Sequence, residues 1–270
     1  MPRHADVTVV IPCFNHGRFL GEAVASALGQ SGGPPRIVVV DDGSTEPETE
    51  KALADLPDGV ELVRQANAGP AAARNAGIER SETPLLMMLD ADDRLAPDAI
   101  DTLRGPLEAH DDVGYCYGVM RLFGEWSGEL RFPDFDPYKV LYRSIAGASL
   151  GLIRRVAWEE AGRFDPEIGG YEDWDFTLGA LEAGWRGLQV DQVTLEYREH
   201  ERSGYAEHRA AYRRTYRRLR RKHAALFARA GEFKAETDLG PAGRLLYRTY
   251  FAWRPLPAGL EQALYSRVFR

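Results

Sequence analysis

Long apolar runs are missing from this chain of 270 residues. None approaches the ~18–20 consecutive apolar residues that a membrane-spanning helix needs, so no transmembrane helix is expected. A charged leader running into a long apolar stretch is missing too. The first apolar run, residues 7–11, stops at Pro12, so no signal peptide is expected. Cysteine is scarce: Cys13 and Cys116 are the two, each in or beside an apolar segment. They read as reduced core residues, with a disulfide as the minor option. Together these absences predict a cytoplasmic protein. Gly-x-Gly-x-x-Gly does not follow the first predicted strand, which counts against a nicotinamide dinucleotide. Internal repeats and low-complexity stretches are also lacking.

What is present is ordinary in amount and uneven in placement. A hydrophobic content of 44% suits a globular protein. The length suits one large α/β domain, or one domain with an extension. The net charge of −7 conceals an asymmetry, because residues 201–270 hold 16 of the 34 Lys and Arg but only 6 of the 41 Asp and Glu. An acidic body thus carries a basic tail, and such a tail meets something anionic. The candidates are a phosphate-rich membrane surface, a nucleic acid and the acidic body itself. Nucleic acid ranks last and is not expected as a partner, because no nucleic-acid module accompanies the arginines. In the tail Leu245, Leu246, Tyr247, Tyr250, Phe251 and Trp253 are interleaved with Arg244, Arg248 and Arg254. Basic amphipathic helices with aromatics lie in membrane interfaces, which suits peripheral attachment to the inner face of a membrane. Equally, an aromatic stripe suits docking on the body.

Periodicity predicts a strand at 7–11 and a helix at 18–30 with Leu20, Ala23, Val24, Ala27 and Leu28 on one face. A strand at 36–40, a short helix at 47–56, a strand at 60–63, an alanine-rich helix at 70–79 and a strand at 85–89 follow. This β-α-β-α-β-α-β order predicts a mainly parallel sheet with helices on both faces. A further strand is expected at 113–120. The stretch 123–142, with Trp126, Phe132, Phe135 and Tyr138, is irregular, and such stretches often form lids or binding loops. A short helix at 156–161, a longer one at 171–183 closed by Gly184, strand segments at 188–190 and 193–197, and a long helix at 207–230 complete the reading. In the last of these, Tyr212, Tyr216, Leu219, His223 and Leu226 form one stripe.

The chemistry gathers where strands end. Asp90-Ala91-Asp92-Asp93 closes the run Leu85-Leu86-Met87-Met88-Leu89. Ligands of open α/β sheets bind outside the carboxyl ends of the strands. Carboxylates crowded there repel one another unless a cation joins them, and hard oxygen donors suit magnesium or manganese shared with substrate phosphates. The plain alternative is that Asp92 and Asp93 cap a helix starting near Pro97. Val10-Ile11-Pro12-Cys13-Phe14-Asn15-His16-Gly17 is a sharp exit from the sheet, either a ligand-facing backbone or simply a tight turn. Asp41-Asp42-Gly43-Ser44 offers a carboxylate to a ribose or base, or else a turn with Ser44 as helix cap. In Ala73-Arg74-Asn75-Ala76-Gly77, Arg74 either reaches the ligand site or sits on the surface. Glu172-Asp173-Trp174-Asp175 follows Gly169-Gly170-Tyr171. Its acids suit a helix N-terminus, or one of them serves as a general base beside a glycine hinge.

These segments, in this order, resemble glycosyltransferase family 2 with the GT-A fold. The likeness runs over about residues 5–200 and rests on Val9-Val10-Ile11-Pro12-Cys13-Phe14-Asn15, Asp41-Asp42-Gly43-Ser44, Ala73-Arg74-Asn75-Ala76-Gly77, Asp90-Ala91-Asp92-Asp93 and Glu172-Asp173-Trp174, with Arg163-Phe164-Asp165-Pro166 before the last. The resemblance implies a Rossmann-like catalytic domain over residues 1–200, with a nucleotide-binding half at 1–110 and an acceptor-binding half at 111–200. A basic, mostly helical extension fills 201–270. It implies transfer of a sugar from a nucleoside diphosphate donor to a carbohydrate or lipid-linked acceptor hydroxyl, in cell-envelope polysaccharide, glycolipid or glycoconjugate synthesis. Asp42 then binds the base with Pro12 and Phe14 lining the pocket, and Asn15, Arg74 and Ala91 belong to the donor site. Asp90 faces the ribose or donor sugar, and Asp92 ligates a divalent cation, Mn2+ or Mg2+. Asp173 is the catalytic base, with Glu172 and Trp174 in the acceptor region. His200 matches a further metal-ligand or diphosphate position.

The residue types support that chemistry on their own terms. An acceptor hydroxyl needs a carboxylate to take its proton, and a leaving diphosphate needs cationic stabilisation. One displacement needs one base, and no second nucleophile is evident, so inversion is expected. Two other readings compete. A sugar-nucleotide nucleotidyltransferase would carry a glycine-rich basic loop where Pro12-Cys13-Phe14-Asn15 stands. A non-catalytic sugar-nucleotide-binding protein would not require both Asp92 and Asp173.

Overall fold

A computed structural model describes residues 3–125, 127–144, 151–199 and 205–251. The first half is built from strands β1 (Val7–Cys13), β2 (Arg36–Asp41), β3 (Val60–Arg64) and β4 (Leu85–Met88). Helices α1 (Gly17–Leu28), α2 (Pro47–Ala54) and α3 (Pro70–Glu79) connect them. The four strands run parallel in the order β3-β2-β1-β4. β1, β2 and β4 are largely apolar on both faces because helices cover both, whereas the edge strand β3 is half-buried. Alternation divides the side chains between two cores. Val7, Val9, Ile11 and Cys13 face α1 and helix α4 (Ala99–Glu108). Val10, Val38, Val40, Leu86 and Met88 face the other way, toward α3. The small residues of α3 let it sit close: a Cβ on Gly77 would come within 2.3 Å of Val10 Cγ1.

Beyond β4 the sheet turns mixed. Strands β5 (Arg94–Leu95), β6 (Val113–Gly124), β7 (Gly128–Leu130), β8 (Gly151–Arg154) and β9 (Arg186–Glu199) extend it in the order β8-β6-β9-β5, with β7 paired on β6. β8 is antiparallel to β4 and β6, whereas β9 is parallel to β6. The sheet is therefore mainly parallel, as expected: β6 and β9 run with the first four strands, and β5, β7 and β8 run against their neighbours. The two strand segments expected near 190 are one strand, whose irregular register falls opposite Gly118. A Cβ there would meet the Gln192 carbonyl oxygen at 2.6 Å.

The irregular stretch is more ordered than expected. β6 runs on to Gly124 and β7 hairpins back, and a short helix, α5 (Pro137–Val140), follows. Phe132 and Phe135 pack against the core. Trp126 lies outside the described residues. Helices α6 (Arg155–Glu160) and α7 (Glu172–Glu182) come next, and α7 ends before Gly184 at φ 96°.

The single helix expected at 207–230 is two, α8 (Tyr205–Lys222) and α9 (Ala224–Ala228), and α10 (Ala230–Glu236) begins where it was expected to end. The break falls at His223 (φ −100°, ψ 37°), whose ring is engaged on both sides by acids of α7. Tyr212, Tyr216, Leu219 and Leu226 are buried in a third core with Val140, Trp174 and Leu178. The aromatic stripe is therefore docked on the body, while Arg213, Arg214, Arg217, Arg220 and Arg221 face outward. Helix α11 (Pro241–Leu246) buries no residue and leaves Leu245 and Leu246 exposed, while the π-helical turn at Tyr247–Phe251 returns to the same core, where the Tyr212 hydroxyl donates to the Phe251 carbonyl at 2.6 Å. Trp253 and Arg254 lie outside the described residues. Among the described residues, no helix is long and apolar enough to cross a membrane. Both cysteines are free and buried, and burial lifts the Cys13 thiol to about 11 and the Cys116 thiol to about 12.

Candidate active site

The loops after β1, β2 and β4 form one rim. At the exit of β1, Asn15 adopts a left-handed conformation (φ 56°). Its Oδ1 accepts the N–H groups of Thr45 and Glu46 at 2.8 and 3.1 Å, and its own N–H donates to Ser44 Oγ at 3.1 Å. The Asn15 side chain thus stitches two loops together instead of facing outward. Glu46, not Ser44, occupies the cap position of α2. Phe14, next to this stitch, is 46% exposed, an unusual position for a large apolar ring. Asp42 is buried, and its carboxylate accepts from Gln65 Nε2 (2.7 Å), Ala68 N (2.9 Å) and Gly69 N (2.8 Å). It anchors the loop that delivers α3.

The acids after β4 do not cap a helix. Asp98 holds the cap position of α4, and β5 intervenes. Asp93 is buried instead, and its Oδ1 accepts the Arg198 N–H at 2.8 Å, tying this loop to β9. Asp90 and Asp92 keep side-chain exposures of 39% and 18%, so a ligand can reach both. Ala91 between them is buried.

Arg74 is no surface residue. It is 4% exposed, and its guanidinium donates to Asp90 at 2.7 Å and to Glu172 through a short bond. Burial alone would lower its pKa, but the carboxylates of Asp90 and Glu172 more than reverse this, so its charge is fixed. One buried cation thereby joins the acids after β4 to the first turn of α7. That turn is entered through three successive left-handed residues: Gly169 (φ 70°), Gly170 (φ 82°) and Tyr171 (φ 66°). Glycine adopts this conformation at little cost, whereas a tyrosine is strained there unless its surroundings hold it.

Within the turn the side chains diverge. Glu172 goes to Arg74. Asp173 accepts the Trp174 N–H at 2.8 Å and the Ser144 hydroxyl at 3.4 Å, and its charge also acts on Arg74. Trp174, placed by sequence in the acceptor region, is 1% exposed and donates from its indole to the Val140 carbonyl at 2.7 Å. Its large apolar ring is drawn into the third core, so it can act on an acceptor only through packing. His200 lies outside the described residues.

The donor set fits a divalent cation. Burial first, and then the charges of Asp90 and Asp92, push the Asp93 carboxyl well above the usual range. The Tyr197 phenol is raised by burial, then by Asp93, Asp90, Glu199 and Asp92. This corner thus crowds three carboxyls together, with Arg74 and Arg198 as the cations beside them. Among the described residues no three ligating side chains gather. Three contacts escaped the sequence reading. His16 Nδ1 stands 3.7 Å from Asp92 Oδ2, and Lys222 and His223 reach Asp175. The His16 contact had a signal, since the residue sits in the strand-exit motif.

A model described as glycosyl transferase family 2 matches residues 8–153. Succinoglycan biosynthesis protein ExoU of Rhizobium meliloti (strain 1021) is 41% identical over 200 residues, covering 67% of this chain and 58% of ExoU. ExoO of the same organism, also a succinoglycan biosynthesis protein, is 32% identical over 204 residues, covering 67% and 57%. The chain thus spans somewhat more than half the length of these two relatives. Among solved structures, S. aureus TarS 1–349 in complex with UDP-GlcNAc superposes with a TM-score of 0.69 at 18% identity, covering 97% of this chain and 76% of that one. The mannosyltransferase PcManGT from Pyrobaculum calidifontis, in complex with GDP-Man and Mn2+, gives 0.60 at 23% identity, covering 91% and 69%. At such identities the likeness carries the fold, which is the GT-A fold expected from the sequence.

Proposed function

Because this chain belongs to glycosyl transferase family 2, we propose that it moves a sugar from a nucleoside diphosphate donor to an acceptor hydroxyl with inversion. The observation that carries this reading is the buried Arg74, which binds Asp90 on the donor side and Glu172, next to Asp173, on the other. Pro12 and the exposed Phe14 line the base. Asp42 sets the adjoining loop and offers its remaining acceptor capacity to the base edge. Asp90, aimed by Arg74, meets the ribose or sugar beside Ala91. A divalent ion, Mn2+ or Mg2+, would be held by Asp92 with the donor phosphates and would neutralise charge on the leaving diphosphate.

Asp173 takes the proton of the attacking hydroxyl, a task for which a carboxylate within hydrogen-bond reach suffices. The first turn of α7 leaves its carboxylate beside Ser144 rather than in the third core. The acceptor is a carbohydrate or lipid-linked hydroxyl of the kind used in envelope polysaccharide synthesis, the process named for ExoU and ExoO. TarS with UDP-GlcNAc and PcManGT with GDP-Man make uridine and guanosine diphosphate sugars the first donors to try.

Thermal denaturation with nucleoside diphosphates, with and without manganese, tests the donor side. Nucleotide at about a hundred times its Kd stabilises a native state by about 2.7 kcal/mol. The wild-type chain will show such an upward shift only with manganese present, and Asp92→Asn will lose it. An equal shift without manganese, or in Asp92→Asn, contradicts the metal assignment.

A further inference from the structure

We propose that the C-terminal helices are a clamp that positions Asp173, with Lys222 and His223 as positioning residues. The proposal rests on the assignment of Asp173 as base and adds what holds it in place.

The turn that carries Asp173 follows a hinge. Gly169 and Gly170 impose little restraint on the backbone, and the left-handed Tyr171 is a conformation that neighbours must enforce. The neighbours come from α8. The Tyr171 ring meets Tyr212 edge-on, with centroids 5.6 Å apart. Trp174 stacks on Tyr212 at 5.8 Å and on Tyr216 at 5.7 Å.

Asp175 is 2% exposed, and both its oxygens are held from the point where α8 ends: Lys222 Nζ at 2.7 Å and His223 Nε2 at 3.0 Å. Each partner spans a distance that matters. Lys222 Nζ also reaches Asp165 at 2.7 Å, so one ammonium ties a residue before the glycine hinge to one after it. His223 Nδ1 reaches Glu182 at 2.7 Å, so one ring joins two acids about two turns apart on α7. That pairing sets both the rotation and the axial position of the helix. Burial lowers the pKa of both bases, but their acid partners raise it by more. Glu172 is fixed from the opposite side by Arg74. Asp173 therefore lies between two anchors, one in the donor half and one in the tail.

The full chain tests this with His223→Leu, Lys222→Met and the conservative His223→Gln, which keeps a donor toward Asp175. A misplacement of about 1 Å can cost on the order of 100-fold in rate. We expect kcat to fall about 10- to 100-fold in His223→Leu and Lys222→Met, while donor KM and nucleoside diphosphate affinity stay within about twofold. His223→Gln should recover most of kcat. Wild-type kcat in both disabling variants overturns the clamp, as does a loss of kcat matched by an equal loss of nucleotide binding. Should His223→Leu fail to fold, Lys222→Met decides, since Lys222 is 38% exposed. Asp173→Asn is assayed beside them. If it transfers at the wild-type rate, the base assignment fails; if it is inactive while every disabling variant that folds is fully active, only the clamp fails.

Discussion

Asp173→Asn will abolish sugar transfer while leaving donor binding intact. The carboxylate is asked for one thing, acceptance of the acceptor proton as attack proceeds, and an amide cannot do it. General base catalysis contributes about 10²- to 10⁴-fold, so kcat should fall by that amount. Asparagine keeps the shape and the acceptor oxygen that receives the Trp174 N–H, so the turn should survive. The residues proposed to contact the donor lie in the other half of the chain, so titration of the nucleoside diphosphate should give the wild-type affinity. A loss in kcat without a loss in affinity is the signature of a group acting in the transition state. Transfer at more than about a tenth of the wild-type rate would remove Asp173 from the role. The same variant separates an enzyme from a protein that only binds sugar nucleotides, for in the latter no rate exists to lose.

Arg74→Met will cost more than activity. The guanidinium is buried between Asp90 and Glu172. Removing it leaves the buried Glu172 without its cation beside Asp173 and deprives Asp90 of its partner. Breaking a buried pair by deleting one member typically costs about 3–5 kcal/mol, because the remaining charge stays desolvated. Urea unfolding should therefore show a large drop in midpoint, and transfer should be lost at temperatures where the variant is still folded. Arg74→Lys restores the charge but not the fork that meets two carboxylates from different directions. It should regain part of the stability and little of the activity. If Arg74→Met unfolds within about 1 kcal/mol of the wild type, the guanidinium does not bridge the two acids in solution.

The sequence made the strand ends legible because they carry an unambiguous pattern: a short β-branched or apolar run, then acids. That pattern located Asp41, Asp42, Asp90 and Asp92 and the helices between them to within a residue or two. It could not say how each acid is used. Asp93 looks like its neighbours in the sequence, yet it is buried to bind the Arg198 N–H, a partner 105 positions away. Arg74 and Glu172 stand 98 positions apart, and no periodicity links them. Asn15, expected at the ligand, also has a structural task that the sequence did not show: its Oδ1 accepts the N–H groups of Thr45 and Glu46. Trp174 reads as a site residue by position, but burial of its ring draws it into the core. The tail was ambiguous for a physical reason. An aromatic stripe flanked by arginines satisfies a lipid surface and a protein surface alike, and only Trp174, Leu178 and Val140 on the body resolve which apolar surface the stripe meets.

The most direct test of one shared cleft is the crystal structure of Asp173→Asn with manganese and the nucleoside diphosphate sugar that most raises its melting temperature. The predicted result is a diphosphate beside Asp92, a base against Phe14, and the sugar's anomeric carbon facing residue 173 across the Arg74 bridge. A donor bound away from Asp92, or a sugar turned from residue 173, would contradict it.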